Sequence, residues 1–270
     1  TSMKEDYRAR MGIDLPIYIQ YGRFVSNVLQ GNLGQDVFSG LSVLDIVKRQ
    51  LPHTVVLVCV AIGWSATLGI ILGCFSAVRR NSILDRIIGV ITVGAIAIPS
   101  FVVSLYALLI FAVTLRVLPA LGAGESGDII DQLRHLVLPG FALGLGWVGY
   151  IARLVRASML EVMGENFIRA ARAYGLPERK IIARYALKIA IVPTVTLLGV
   201  GIGNMLSGAL FAEIVFARPG IGKLIYDMVL MRNYPVVQGA VLVTTALFVV
   251  SALIADMINS YLDPRVRASL

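Results

Sequence analysis

Chemistry-bearing residues are scarce in this chain. Its 270 residues include only two cysteines and two histidines. Cys59 and Cys74 fall on one predicted helix. Their spacing corresponds to about 22 Å along a helix axis, which excludes a disulfide between them; both are expected as small buried side chains. His53 and His135 stand alone, so no metal-ligand spacing exists. No glycine-rich loop ends in Gly-Lys-Ser/Thr, and no nucleophile–base set stands out. The chain is therefore expected to carry no catalytic, metal or cofactor site. Charge is also sparse, at 15% of residues, where a soluble domain has about 25%.

What the chain has in abundance is apolar sequence: 57% hydrophobic residues and a mean hydropathy of +0.82. Five uncharged stretches stand out: Leu51–Val78, Ile87–Leu115, His135–Ala152, Ile189–Ala212 and Asn233–Ala255. About 20 helical residues cross a hydrocarbon core. Four stretches exceed that, and His135–Ala152 reaches it by borrowing Leu133 and continuing toward Met159, its arginines snorkelling to the interface. The fold class is all-α and polytopic, with five membrane helices.

The net charge of +8 invites a nucleic-acid reading. Its placement argues against that, because the basic residues sit in short loops between spans, where they orient a protein against anionic lipid. Arg79–Arg86 holds three basic residues and Arg153–Lys188 holds eight, both on one side if all five spans are real. Arg116–Arg134, on the other side, has two basic and three acidic residues. The positive-inside rule then places residues 1–50 outside and the C-terminal tail, 261–270, in the cytoplasm. Residues 51–260 form the membrane domain. An external start needs an export device, yet residues 1–50 contain neither a span nor a signal core. An upstream transmembrane helix absent from the chain is the expected explanation; unaided translocation is the alternative.

Within residues 1–50, a helix is expected over Pro16–Gln30, followed by a turn at Asn32 and Gly34. A short helix from Val43 leads into the first span. Pro99 falls inside the second span and frees a carbonyl that must be satisfied in lipid, making it a candidate kink beside a pathway. Gly69/Gly73, Gly140/Gly144 and Gly199/Gly203 recur at the spacing that lets helix backbones approach. Packing within one subunit and contact with a second subunit both fit them.

The basic island holds two amphipathic patterns joined at Gly175, in a hairpin over 161–188. Leu160, Met163, Phe167, Ala171 and Tyr174 recur at helical spacing, and Glu165–Arg169 is a favourable i,i+4 pair. Gly175 ends the first helix, Leu176 bridges, and Pro177 suits the first position of the next, whose face continues through Ile181 and Tyr185. Tied to two membrane helices, such a hairpin can act as a lever. By physics alone, a hairpin resting on lipid headgroups fits equally well.

Here the chain resembles the inner-membrane permeases of bacterial ABC importers, in their dipeptide/oligopeptide branch, and within it the first of the two paired permeases. The family signature is Glu-Ala-Ala, three residues, Gly, then a downstream Pro; this chain has Arg169-Ala170-Ala171, Gly175 and Pro193. Arg169 replaces the glutamate and Pro193 lies 18 residues past Gly175 rather than 13, departures similar to the peptide branch. Ser158-Met159-Leu160-Glu161-Val162, Glu165 and Phe167-Ile168-Arg169 match its upstream run. Gly31-Asn32-Leu33-Gly34 resembles an external Gly-Asp-Leu-Gly element. Glu213-Ile214-Val215-Phe216 with Pro219-Gly220-Ile221-Gly222 resembles Glu-x-x-Phe-x-x-Pro-Gly-x-Gly, with Arg218 where an aromatic is common. Arg232–Gly239 and Asp263-Pro264-Arg265 also agree.

The resemblance implies a type I ABC importer permease fold, with six helices in the full subunit, in a bacterial inner membrane. It implies a di-/oligopeptide importer built from this permease, a paralogous permease, two ATPase subunits holding ATP and Mg, and an external substrate-binding protein. The hairpin would contact one ATPase through Phe167, Arg169, Ala170, Ala171, Arg172, Gly175, Leu176 and Pro177. Glu213, Pro219, Gly220 and Gly222 would form an outer gate or turn; Glu213 is expected to meet the pathway, another helix or external water. Glutathione or a nickel chelate is the alternative cargo. A reading of another class is an ATP-independent channel or membrane scaffold.

Overall fold

The computed structural model describes residues 15–262; among them the regular structure is helical, joined by turns and loops, with one isolated bridge between Gln35 and Ser42. The first 14 residues of the expected external segment fall outside it, as do most of the tail and Asp263-Pro264-Arg265. The helices are α1 Ile17–Leu29, α2 Val43–Val78, α3 Ile83–Ala97, α4 Ser100–Ala107, α5 Ile129–Val162, α6 Asn166–Ala173, α7 Val192–Val215, α8 Ile221–Leu230 and α9 Tyr234–Leu262. An interrupted helical run, Glu178–Lys180, Ile181–Ala186 with wide turns, and Leu187–Ala190, links α6 to α7.

Each boundary has a local cause. Pro16 stands at the N-cap of α1, where its missing N–H costs nothing. The Ser82 hydroxyl accepts from the Asp85 N–H at 3.2 Å to cap α3, and Asp128 accepts from the N–H groups of Ile130 and Asp131 at 2.9 and 3.1 Å to cap α5. The expected short lead-in from Val43 is continuous with the first span as α2, running through Pro52.

Four helices, α2, α5, α7 and α9, are long and apolar enough to span a membrane. The second expected span differs from a simple kink. Its two halves, α3 and the α4 run to Thr114, are bent by 99° at Pro99. Proline removes the donor for the carbonyl four residues earlier and clashes with that turn, so this helix breaks. Counted as one broken span, the pair makes the five spans expected.

α2 and α5 form the most extensive helix pair, and glycine explains how close they come. A Cβ on Gly73 would lie 2.6 Å from the Ala152 carbonyl, and one on Gly144 would lie 2.5 Å from Trp64 Nε1. That indole N–H instead donates to the Gly140 carbonyl at 2.9 Å. Gly199 and Gly203 do the same for α7 against Ala255 and Phe248 of α9. All three glycine pairs thus serve packing inside the subunit. Cys74 is half-buried, but Cys59 is exposed on α2, contrary to the buried role expected for both. Polar groups hold one further junction. Asp85, buried at the start of α3, accepts from Arg156 of α5 through Nε at 2.8 Å and Nη2 at 2.9 Å, from the Ser76 hydroxyl, and from the Asn81 N–H at 2.9 Å.

Candidate functional site

The hairpin is welded to the membrane helices by one apolar cluster. Ile168 and Ala171 of α6, with Ile181 and Ala186 of the return run, pack against Val155, Met159 and Val162 of α5 and Ala77 of α2. Ile168, Ile181, Val155 and Met159 are fully buried, and each side chain of this size contributes about 1.5–3 kcal/mol when removed from water. Gly175 takes φ +74°, and the Leu176 N–H donates to the Ala171 carbonyl at 3.2 Å, closing α6 in the left-handed terminus that glycine favours.

The buried face is therefore Ile168/Ala171: of the stripe expected from spacing, Ala171 faces inward and Leu160 and Met163 are half-buried, but Phe167 and Tyr174 are exposed. Phe167 is 40% exposed and Tyr174 86%. Ile168 and Ala171, three residues apart, share a helical face, and that face meets the cluster on α5. The Glu165–Arg169 pair does not form among the described residues: Glu165 is the N-cap of α6 and Arg169 donates to the Gly164 carbonyl at 3.2 Å. Arg172 instead pairs bidentately with Glu178, at 3.2 and 2.7 Å, across the turn, and its guanidinium holds the Glu178 carboxyl below the usual carboxylate range. Pro177 is the N-cap of the return run rather than its first helical residue. Of the expected contact residues, Phe167, Arg169, Ala170, Arg172, Gly175 and Pro177 are exposed on one tip; Leu176 is half-buried and Ala171 faces inward.

At the opposite end of α7, Glu213 is completely buried. Its carboxylate accepts from the Thr54 hydroxyl at 2.6 Å and from the Lys223 N–H at 3.0 Å, while Thr54 accepts from the Ile221 N–H at 2.8 Å. Glu213 thus meets other helices: it satisfies the amide end of α8, where a negative group is favoured, and ties it to α2. Gly220 is required by contact, since a Cβ there would lie 2.1 Å from the Glu213 Cδ; a Cβ on Gly222 would lie 2.5 Å from the Leu210 Cα. Pro219 is half-buried beside them. Glu213, Gly220 and Gly222, expected together, are together. Thr54 was missed; one hydroxyl among several polar side chains of α2 gave no signal that would single it out.

Pro99 lies on the wall of a cavity of about 500 Å³ between the α3–α4 break, α5 and α7. Among the described residues no group of three or more His, Cys, Asp or Glu is placed to hold a metal.

The chain as a whole is similar to known proteins. Residues 69–268 match the family described as the binding-protein-dependent transport system inner membrane component. The chain is 35% identical over 266 residues to a putative peptide permease protein of Brucella suis biovar 1, covering 97% of this chain and 83% of that one. It is 33% identical over 260 residues to the glutathione transport system permease protein GsiC of Escherichia coli K12, with 96% and 83% covered. It is 32% identical over 279 residues to the di/tripeptide transport system permease protein DppB of Pseudomonas aeruginosa, again with 96% and 83% covered. In structure it is similar to an inward-facing form of the MetNI methionine ABC transporter, with a TM-score of 0.67 at 19% identity over 81% of this chain and 96% of that one, a likeness of fold. The match over residues 69–268 and relatives of 32–35% identity along most of the chain place it: the chain belongs to the binding-protein-dependent transport system inner membrane component family.

Proposed function

We propose that this chain is the transmembrane permease subunit of an ATP-driven importer of di- and oligopeptides, taking its energy from separate ATPase subunits through the 161–188 hairpin. The observation that carries this reading is the hairpin itself: an exposed tip of Phe167, Arg169, Ala170, Arg172, Gly175 and Pro177 on a base locked into α5. A lipid-resting hairpin needs its apolar side free to enter the interface, but Ile168, Ala171 and Ile181 are spent inside the subunit. Small residues at the tip suit seating in a groove of a partner protein.

In this reading a paralogous permease completes the pathway, two ATPases sit beneath, and a substrate-binding protein docks at the Glu213 end. The C-terminus and hairpin share the cytoplasmic side of the inner membrane. ATP-driven closure of the ATPases moves the hairpin, and the bundle alternates between two states. Glutathione remains a second reading, favoured by relatives of equal identity that are named for it.

The test is the reconstituted complex with its binding protein, assayed for ATP-dependent uptake of dialanine, trialanine and glutathione. Gly175→Arg in the hairpin tip is expected to abolish uptake while leaving assembly intact. The space around Gly175 is open within the subunit, so an arginine clashes only with a docked partner, at a backbone cost of about 1–2 kcal/mol for the left-handed position. Gly175→Asn, which tolerates that backbone, controls for the strain. Normal uptake by the Gly175→Arg complex would refute the docking role.

A further inference from the structure

Three polar side chains line the 500 Å³ cavity at the α3–α4 break: the Ser100 hydroxyl, the Tyr150 phenol and the Asn204 amide. Among the described residues none of these side chains has a hydrogen-bond partner. Asn204 sits near the midpoint of α7 and is exposed, in a helix otherwise made almost entirely of apolar and small residues. An amide at that depth facing lipid is costly, so such groups belong against protein or a wet cavity.

The break adds backbone polarity at the same place. Pro99 has no N–H, which leaves the Ala95 carbonyl without its helical donor, and Ser100 and Phe101 begin α4, where the first amides have no intrahelical acceptor. Broken helices at membrane depth offer such free backbone ends to a substrate. The remaining wall, including Trp147, Leu197 and Met205, is apolar, and no lining residue is charged. The volume lies in the range of small-ligand sites, about 300–1,000 Å³.

The geometry points to a transient binding station in the membrane, where Asn204, supported by Tyr150 and Ser100, hydrogen-bonds the main-chain amides of a passing peptide. It rests on the peptide-import reading and deepens it. An amide both donates and accepts, as a peptide bond does, so it serves any sequence. A fixed charge would hold peptides of one sign and resist their release. The apolar wall accommodates side chains without selecting among them.

The experiment uses the complete complex in proteoliposomes, with Cys59→Ser and Cys74→Ser removing background thiols. Asn204→Cys is expected to react with a charged, water-soluble methanethiosulfonate, at a rate that changes severalfold between nucleotide-free and ATP-trapped complexes. Asn204→Leu is expected to lower trialanine uptake per ATP hydrolysed about 3–10-fold, the worth of one hydrogen bond, with Asn204→Gln retaining most uptake. Failure of Asn204→Cys to react in either state places the residue against lipid or the paired permease and overturns the proposal. Undiminished trialanine uptake by Asn204→Leu overturns it as well. A wild-type complex that moves glutathione but no alanine peptide sinks the peptide reading instead, and with it the main-chain ligand; the labelling result still stands for the cavity as pathway.

Discussion

The Asp85–Arg156 junction is the polar contact with the sharpest energetic consequence. Asp85 retains 8% of its side-chain exposure and Arg156 35%, so the two partners are not equally buried. Removing the arginine leaves a carboxylate enclosed with only the Ser76 hydroxyl and the Asn81 N–H. Removing the carboxylate leaves a guanidinium that can turn toward water. Breaking a buried pair costs about 3–5 kcal/mol when the surviving charge is trapped, and screening lowers that for an accessible survivor. Arg156→Leu is therefore expected to cost about 3–5 kcal/mol, and Asp85→Asn less, near the lower end of the about 1.5–3 kcal/mol for a hydrogen bond to a charged group. Arg156→Lys should fall between, because an ammonium cannot reproduce the two-nitrogen grip. Thermal or denaturant melting of the purified complex in nanodiscs measures all three, and the Asp85→Asn/Arg156→Leu double variant closes the cycle. The double variant should be less damaged than the sum of the singles. Strict additivity, or Asp85→Asn as harmful as Arg156→Leu, would refute the burial asymmetry on which the prediction is built.

Thr54→Val strips a donor from Glu213 and the acceptor from the Ile221 N–H; a cost of about 1–3 kcal/mol and faster proteolysis around residues 217–222 are expected. Gly203→Leu drives a side chain into Phe248, where even a Cβ would come within 1.9 Å, and should lower the melting midpoint by the about 1–3 kcal/mol typical of overpacking. The Arg172–Glu178 pair is exposed, so Glu178→Gln should change stability by less than about 1 kcal/mol. Because its folded carboxyl is held below the usual 4.5, any contribution is complete above that pH and fades as pH falls through the lower folded value. A Glu178→Gln complex should lose that acid-side slope in a pH series of melting midpoints.

Spans and glycine packing were legible because both follow from composition and local spacing, which act within a few helical turns. The Glu213–Gly220 contact was half legible: motif spacing grouped these residues, but the partner Thr54 lies 159 positions from Glu213, and only the closed bundle brings it there. The hairpin face was misread for a related reason. Phe167 and Ile168 are neighbours, and a rotation of about 100° per residue exchanges them on a helix; packing against Val155 and Met159 of α5 selects Ile168. Cys59 was misread because apolar composition says a side chain avoids water without saying whether protein or lipid covers it. The degree of bending at Pro99 depends on what fills the break, here α5 and α7, which no local pattern encodes.

One helix joins the cavity, the Asp85 clamp and the base of the hairpin. α5 runs unbroken for 34 residues, about 50 Å, from its Asp128 cap to the hairpin. It carries Tyr150 at the cavity, Arg156 at the Asp85 clamp, and Met159 and Val162 under α6. In the coupling proposed above, this helix, packed along glycine contacts against α2, is the element through which displacement of the hairpin would reach the cavity as tilt. Arg156 and Tyr150 are six residues apart, about 9 Å along the axis, which places the clamp less than two turns from the cavity wall. α3 is held to α5 at its start by Asp85 and is free of helical restraint at its end by Pro99. On that proposal, tilt of α5 would drag the start of α3 while the 99° break takes up the strain, and the wall expected to move is the one carrying Ser100 and lining the cavity with Asn204.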